Sequence, residues 1–167
     1  MIKLSAIDGI FAAKENTADL SKFHEMQKAL EPTGMKVVNG IGEPTFPFTA
    51  LSGCRDFVSA FANFAPRLPY DVYESAMKGD LAGCLADSKK FDPITEFTVR
   101  TSLAHGLSIS VFKEDDLLYF TYVAVAKECM NILGLGGGKV RSPDDNLTGS
   151  EIEELRGILE GMGLAGY

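Results

Sequence analysis

Three kinds of residue in this chain have types and spacing suited to chemistry. The first is Lys14, which closes the apolar run "GIFAA" and stands directly before Glu15, Asn16, Thr17 and Asp19. A lysine amine is a nucleophile only when it is unprotonated. A lysine held at the end of a strand, walled by Phe11, Ala12 and Ala13, would be partly desolvated and would give up its proton more readily to attack a carbonyl. The same lysine can also lay its stem along the strand and keep its head in water. The second is "NGIGEP", residues 39–44: Gly40 and Gly42 allow backbone to approach a ligand, and Glu43 can accept hydrogen bonds from hydroxyls. Its plain alternative is a strand-to-helix turn. The third is the pair Ser59 and Asn63 in "DFVSAFANF", where Ser59 can point at a substrate and Asn63 suits a turn cap before Pro66.

Other chemistries fall away. "GLGGGK", 134–139, departs from the phosphate-loop pattern, which needs glycine where Leu133 stands and serine or threonine where Val140 stands. It also follows a helical stretch rather than a strand, and reads as a helix-ending loop. His24 falls one place off an apolar helical stripe and reads as structural or solvent-facing. His105, beside Gly106, reads as a helix C-terminal cap. Two histidines without ligand spacing and three scattered cysteines, Cys54, Cys84 and Cys129, offer no metal site. Tyr119, Phe120 and Tyr122 suit a core or a subunit interface better than a cofactor box.

The bulk composition sets the frame. With 167 residues, the chain is sized for one domain. It is 46% hydrophobic and 23% charged, with a net charge of −7 and no basic cluster. That balance argues against a nucleic-acid backbone and an anionic membrane surface as partners. The N-terminal stretch, interrupted by Asp8, does not read as a signal peptide. The longest apolar run, Leu117 to Ala126, is about half of what a membrane span needs. Unpaired cysteines suit reduced thiols in a cytoplasmic setting.

The elements that must position these residues follow from period and punctuation. Residues 7–13 read as a short buried strand and 18–31 as a helix capped by Asn16 or Thr17. Residues 35–38 read as a second strand, about 44–51 as a helix and 56–64 as a third strand. Helices are expected over about 68–78, 81–103, 114–133 and 149–163, with glycines 79, 106, 134 and 163 at their ends. Strand–helix–strand–helix–strand with nearly continuous apolar strands calls for parallel crossover units. In such sheets the C-terminal strand ends face the ligand crevice, which is where Lys14 stands.

In that order, the residues resemble a known family. "IDGIFAAKENTADLSKF" is similar to the sixth strand of the dihydrodipicolinate synthase and N-acetylneuraminate lyase family. "VSAFANFAP" resembles its eighth strand, "YESAMKGDLAGC" the helix after it, and "AKECMNILGLGGGKVRSPDDNLTGSEIEEL" its C-terminal helices. "SAFANF" also resembles the sugar-acid dehydratases of the same group. The resemblance implies an α/β fold: part of a (β/α)8 barrel over residues 1–80, followed by a helical extension over 81–167 that forms one structural unit with it. It implies a lyase in which Lys14 forms a Schiff base with pyruvate or another 2-keto acid for aldol cleavage, condensation or dehydration, with no cofactor. It places Gly40, Glu43 and Ser59 on the substrate side of the pocket.

Strands one to five of the family have no counterpart here, nor do the turn that holds the keto acid's carboxylate and the tyrosine that shuttles protons. The expected partner is therefore a second copy in a homo-oligomer or a complementing chain carrying those strands. The rival expectation is a catalytically inactive half-barrel serving as an oligomerisation module.

Overall fold

The short segments Ala12–Glu15 (β1) and Lys36–Asn39 (β2) pair in parallel, with Ala12 opposite Lys36, Ala13 opposite Val37, Lys14 opposite Val38 and Glu15 opposite Asn39. This computed structural model describes residues 1–105, 122–142 and 144–164. The helix Leu20–Leu30 (α1) makes the crossover between the two strands. A parallel pair requires such a connection, because no tight turn can reverse the chain twice. α1 forms where the sequence predicts it and buries Phe23 and Leu30 from its apolar stripe.

Its cap differs from the expectation. Asp19, rather than Asn16 or Thr17, accepts hydrogen bonds from the amides of Ser21 and Lys22 at 2.9 and 3.1 Å. Thr17 instead accepts from the Asp19 amide at 3.2 Å, and Glu15 accepts from the Thr17 amide at 2.9 Å. The strand exit is thus a ladder of side-chain bonds, and it delays the helix by two residues.

Two strand predictions need correction. Residues 7–11 are not strand; β1 starts at Ala12 and includes Lys14. Ile7, Ile10 and Phe11 are exposed, Phe11 at 76%. The apolar run has no facing layer among the described residues, so apolar character alone did not fix the strand's limits. The expected third strand shrinks to a single parallel bridge between Asn39 and Phe57. Beyond it the chain folds into a 3-10 turn at Phe61–Asn63, closed by the Asn63 side chain donating to the Ala60 carbonyl at 2.9 Å. Among the described residues no further strand lies outside Phe57, so nothing extends the ladder.

Phe46–Leu51 (α2), Arg67–Met77 (α3), Leu81–Lys89 (α4), Asp92–Ala104 (α5), Tyr122–Ile132 (α6) and Gly149–Gly161 (α7) complete the described elements. The helix expected over 81–103 is two, α4 and α5. Pro93, with no amide hydrogen to donate, sits in the first turn of α5, where it starts a helix and cannot continue one. Of the helix expected over 114–133, residues 114–121 lie outside the described residues, as do Gly106, Tyr119 and Phe120.

The chain divides into two compact units. Met1–Ser59 and Pro69–Lys89 form the first, which holds both strands, α1, α2 and α4. Its interior includes Phe23, Leu30, Val37, Phe46, Cys54, Val72 and Cys84, and the rings of Phe46 and Phe57 stack at 4.3 Å. Ala60–Leu68 and Lys90–Tyr167 form the second. There α5, α6 and α7 bury Ile94, Phe97, Val125, Cys129, Leu155 and Leu159 around Phe64 and Ala65. A capping box starts α7: the Glu151 amide donates to the Thr148 hydroxyl and the Thr148 amide to the Glu151 carboxylate. His105 ends α5, as expected of a cap, and its Nε2 lies 2.8 Å from the Glu151 carboxylate. All three cysteines are free thiols and buried.

Candidate active site

Lys14 sits in β1 opposite Val38, one residue before the strand ends. It is exposed rather than walled off. Phe11 turns outward, and β1 pairs with β2 alone among the described residues, so one flank of the lysine meets solvent. Desolvation of this amine therefore needs more strands than these residues supply.

Gly40 follows β2 and donates its amide to the Glu15 carbonyl at 2.8 Å, which carries the pairing one step past the strand. Its missing side chain matters. A Cβ there would meet Asn16 Oδ1 and would lie 2.7 Å from Lys14 Cε and 2.8 Å from Lys14 Cγ. The lysine stem crosses bare backbone, so these two residues are brought together.

The next two are also brought together, a few residues on. Glu43 is 1% exposed, and the Ser59 hydroxyl donates to its Oε1 in a very short hydrogen bond. The Glu43 carbonyl accepts from the Ser88 hydroxyl of α4 at 2.7 Å. Burial pushes the Glu43 carboxyl above the usual carboxylate range, while the hydrogen bonds from Ser59 and from its own backbone pull it partway back. The turn between reaches this point through Gly42, at φ 93°, where a Cβ would fall 2.8 Å from the Val58 carbonyl. Only glycine accepts both that backbone conformation and that approach. Asn63, expected to cap a turn, does so.

Sequence reasoning missed the residue that organises this turn. Asn39 is 2% exposed. Its Oδ1 accepts from the amides of Ile41 and Gly42 at 3.0 and 2.9 Å, and its Nδ2 donates to the hydroxyls of Thr45 and Thr49 at 3.0 and 2.9 Å. The signal was present: an asparagine ending a strand, with threonines six and ten residues later, is an Asx-type clamp on the turn it opens. Ser88, far along the chain, carried no signal.

Elsewhere the sequence-level alternatives resolve. His24 is exposed on α1. In 134–139 Gly137 serves close packing, while Gly134 and Gly138 take positive φ. Lys127 Nζ donates to the Gly137 carbonyl at 2.7 Å, and Asn131 bonds both the amide and the carbonyl of Gly138. A Cβ on Gly137 would collide with the Lys127 carbonyl. The segment is buckled to α6 rather than free to cradle a phosphate. Tyr122, at the start of α6, is 49% exposed. Among the described residues no group of three His, Cys, Asp or Glu side chains is placed to hold a metal ion, and no helix is long and apolar enough to cross a membrane.

No protein-family model matches the chain. Individual proteins do. The chain is 24% identical over 162 residues to a 4-hydroxy-tetrahydrodipicolinate synthase of Archaeoglobus fulgidus, covering 97% of this chain and 49% of the relative. It is 27% identical over 164 residues to one of Ralstonia nicotianae, covering 98% and 49%. The crystal structure of dihydrodipicolinate synthase from Oceanobacillus iheyensis superposes with a TM-score of 0.78 at 20% identity, covering 96% of this chain and 49% of that one. The resemblance is to the dihydrodipicolinate synthases. The chain spans about half the length of the synthases it matches, and the matched half is their C-terminal part. At that identity the likeness to the solved synthase carries the fold: an α/β arrangement consistent with part of a barrel. Two parallel strands, with a bridge where a third is expected, are consistent with such a part.

Proposed function

We propose that this chain is the C-terminal portion of a Schiff-base lyase acting on pyruvate or another 2-keto acid. Lys14 is its nucleophile, and Gly40, Glu43 and Ser59 line the substrate side. The observation that carries this reading is the seating of Lys14. Its stem crosses Gly40 at the end of a parallel strand pair, in a chain similar to dihydrodipicolinate synthases along nearly its whole length. In the reaction the unprotonated amine adds to the C2 carbonyl carbon. The C–N bond forms and the carbonyl oxygen leaves as water, taking the two protons that the nitrogen gives up. The resulting imine, once it takes up a proton at nitrogen, withdraws electron density, so a bond to C3 can break with its electron pair flowing toward nitrogen to give an enamine. In aldol cleavage that bond is C3–C4, and the C4 hydroxyl gives up its proton as C4 leaves as an aldehyde. In dehydration it is C3–H, and the enamine then expels the C4 hydroxyl, which takes a proton and leaves as water. Condensation runs the cleavage backwards.

The exposure of Lys14 supports a further element of the proposal. The remaining barrel strands, from another chain or from a further segment, close over the amine. A positioned proton donor would arrive with them, a contribution of about 10²–10⁴-fold in rate.

Incubation with pyruvate, borohydride reduction and peptide mass analysis tests the reading. Hydride adds to C2 of the imine and leaves a stable secondary amine, expected on the peptide containing Lys14. Absence of that adduct, both with the chain alone and with a supplied N-terminal barrel half, overturns it.

A second reading rests on a specific observation. β1 has one paired edge among the described residues, and Ile2, Ile7 and Phe11, which precede it in the chain, are 60%, 51% and 76% exposed. An inactive half-barrel used as an oligomerisation module would present such a surface. It would trap no keto acid under any of these conditions.

A further inference from the structure

The four proposed site residues come from three separate stretches of chain, and one buried residue, Asn39, hydrogen-bonds both to the turn that leads to Glu43 and to the segment that leads to Ser59. We infer that Asn39 is a positioning residue, which holds the Gly40 backbone beneath the Lys14 stem and aims the Glu43 carboxyl at Ser59. This inference rests on the proposed Schiff-base reading and adds a residue to it.

Each of its contacts does a separable part. The backbone of Asn39 lies opposite Glu15 in the strand register, next to the Lys14–Val38 pair. Its amide donates to the Asp56 carbonyl and its carbonyl accepts from the Val58 amide, both at 2.9 Å, which fixes the segment delivering Ser59. The side chain works on the turn: Oδ1 gathers the Ile41 and Gly42 amides, so the chain bends sharply after Gly40 and Glu43 is carried inward. Nδ2 ties the same group to Thr45 and Thr49, at the start and middle of α2. A planar amide with one acceptor end and one donor end is what this arrangement uses. Thr49 is itself 3% exposed, so the clamp is anchored on the interior side. Asn39 has no part in bond making; it acts through the residues it holds.

The test uses the full chain with pyruvate and borohydride, comparing Asn39→Ala and Asn39→Asp. Aspartate keeps the acceptor for the two amides, and the threonine hydroxyls can turn to donate to it. The alanine variant is expected to form the Lys14 adduct at least about 10-fold more slowly at saturating pyruvate, as misplacement of reacting groups predicts. The aspartate variant should recover most of that rate, a rescue that a loss of stability alone would not give. Two further measurements do not depend on any adduct. In the alanine variant the Ile41 and Gly42 amides should exchange with solvent faster, and the Glu43 carboxyl, followed by NMR, should titrate closer to the ordinary carboxylate range.

If the wild-type chain traps no keto acid, alone or with a supplied N-terminal barrel half, the reaction proposal fails, while amide exchange and the Glu43 titration still decide the role of Asn39. Should the alanine variant not fold, Thr45→Val removes one partner of the clamp and is expected to move each readout the same way by less. Wild-type values for the adduct rate, amide exchange and Glu43 titration in the alanine variant overturn the inference. So does an aspartate variant no better than alanine.

Discussion

The stem of Lys14 lies across the backbone of Gly40, closely enough that a Cβ at position 40 would fall 2.7 Å from Lys14 Cε. Real side-chain carbons do not tolerate that spacing, so Gly40→Ala must push the lysine aside. Because the lysine is exposed and can yield, the cost should appear in chemistry more than in folding. The expected outcome is a pyruvate adduct formed about 10²-fold more slowly, from a displacement near 1 Å, with a denaturation midpoint close to wild type. Trapping kinetics and urea melts on the same preparation check both halves.

Removing the amine itself makes the complementary prediction. Lys14→Ala should abolish borohydride-stabilised mass on that peptide. Stability should change by no more than about 0.5 kcal/mol, the usual range for an exposed position. Lys14→Arg keeps the charge but cannot form the imine, and should be equally silent. Peptide mass mapping and thermal melts read the two effects apart.

Glu43 predicts a pH dependence of stability with a definite sign. Its carboxyl is held above the ordinary range by burial, so the folded state binds this proton more tightly than the unfolded chain does. The stabilisation is fully present below the unfolded value, about 4.3, and is lost as pH rises through the raised folded value. Glu43→Gln keeps an acceptor for Ser59 without a charge to bury. It should have a higher urea midpoint than wild type at pH 7 and a flatter profile across that window. Melts at closely spaced pH values would show it.

The second unit predicts the opposite sign. Burial alone would raise the Glu151 carboxyl, but hydrogen bonds from the Thr148 amide and hydroxyl and the contact with His105 outweigh it and hold it low. Its contribution is present above the unfolded carboxylate value and disappears as pH falls through the lowered folded one. Thr148→Ala removes one of those hydrogen bonds, the donation from its hydroxyl, together with the cap on the Glu151 amide. It should cost about 1 kcal/mol at neutral pH and less in acid, as measured by urea denaturation at the two pH values.

How far the sequence could be read depended on what kind of signal each feature leaves. α1 was legible because Phe23 and Leu30 repeat with the helical period and become its buried face. The strand carrying Lys14 was found but misplaced. Ile7, Ile10 and Phe11 look like core residues, yet pairing with Lys36–Asn39 sets the limits of β1, and a pairing register is not written in either strand alone. Pro93 marked the division between α4 and α5 in plain sight, since a proline starts a helix and cannot continue one. At the site, Lys14 and Gly40 meet, as do Glu43 and Ser59, because glycines and a strand end leave recognisable punctuation. Asn39 left a local signal, an asparagine at a strand end with threonines six and ten residues on, that went unread, whereas Ser88 escaped because a buried hydroxyl bonded to distant backbone has no periodicity to betray it.

Cys54, Cys84 and Cys129 are each no more than 1% exposed, and burial drives the Cys129 thiol up to about 12. No sulfur in the native chain is therefore poised to compete with amines for an electrophile, or to link two molecules through oxidation. A maleimide dye becomes a clock for opening: Cys54 and Cys84 report the first unit and Cys129 the second, each labelled only when its own surroundings come apart. Single-cysteine versions would thus time the two halves separately, in one tube, without touching the lysine.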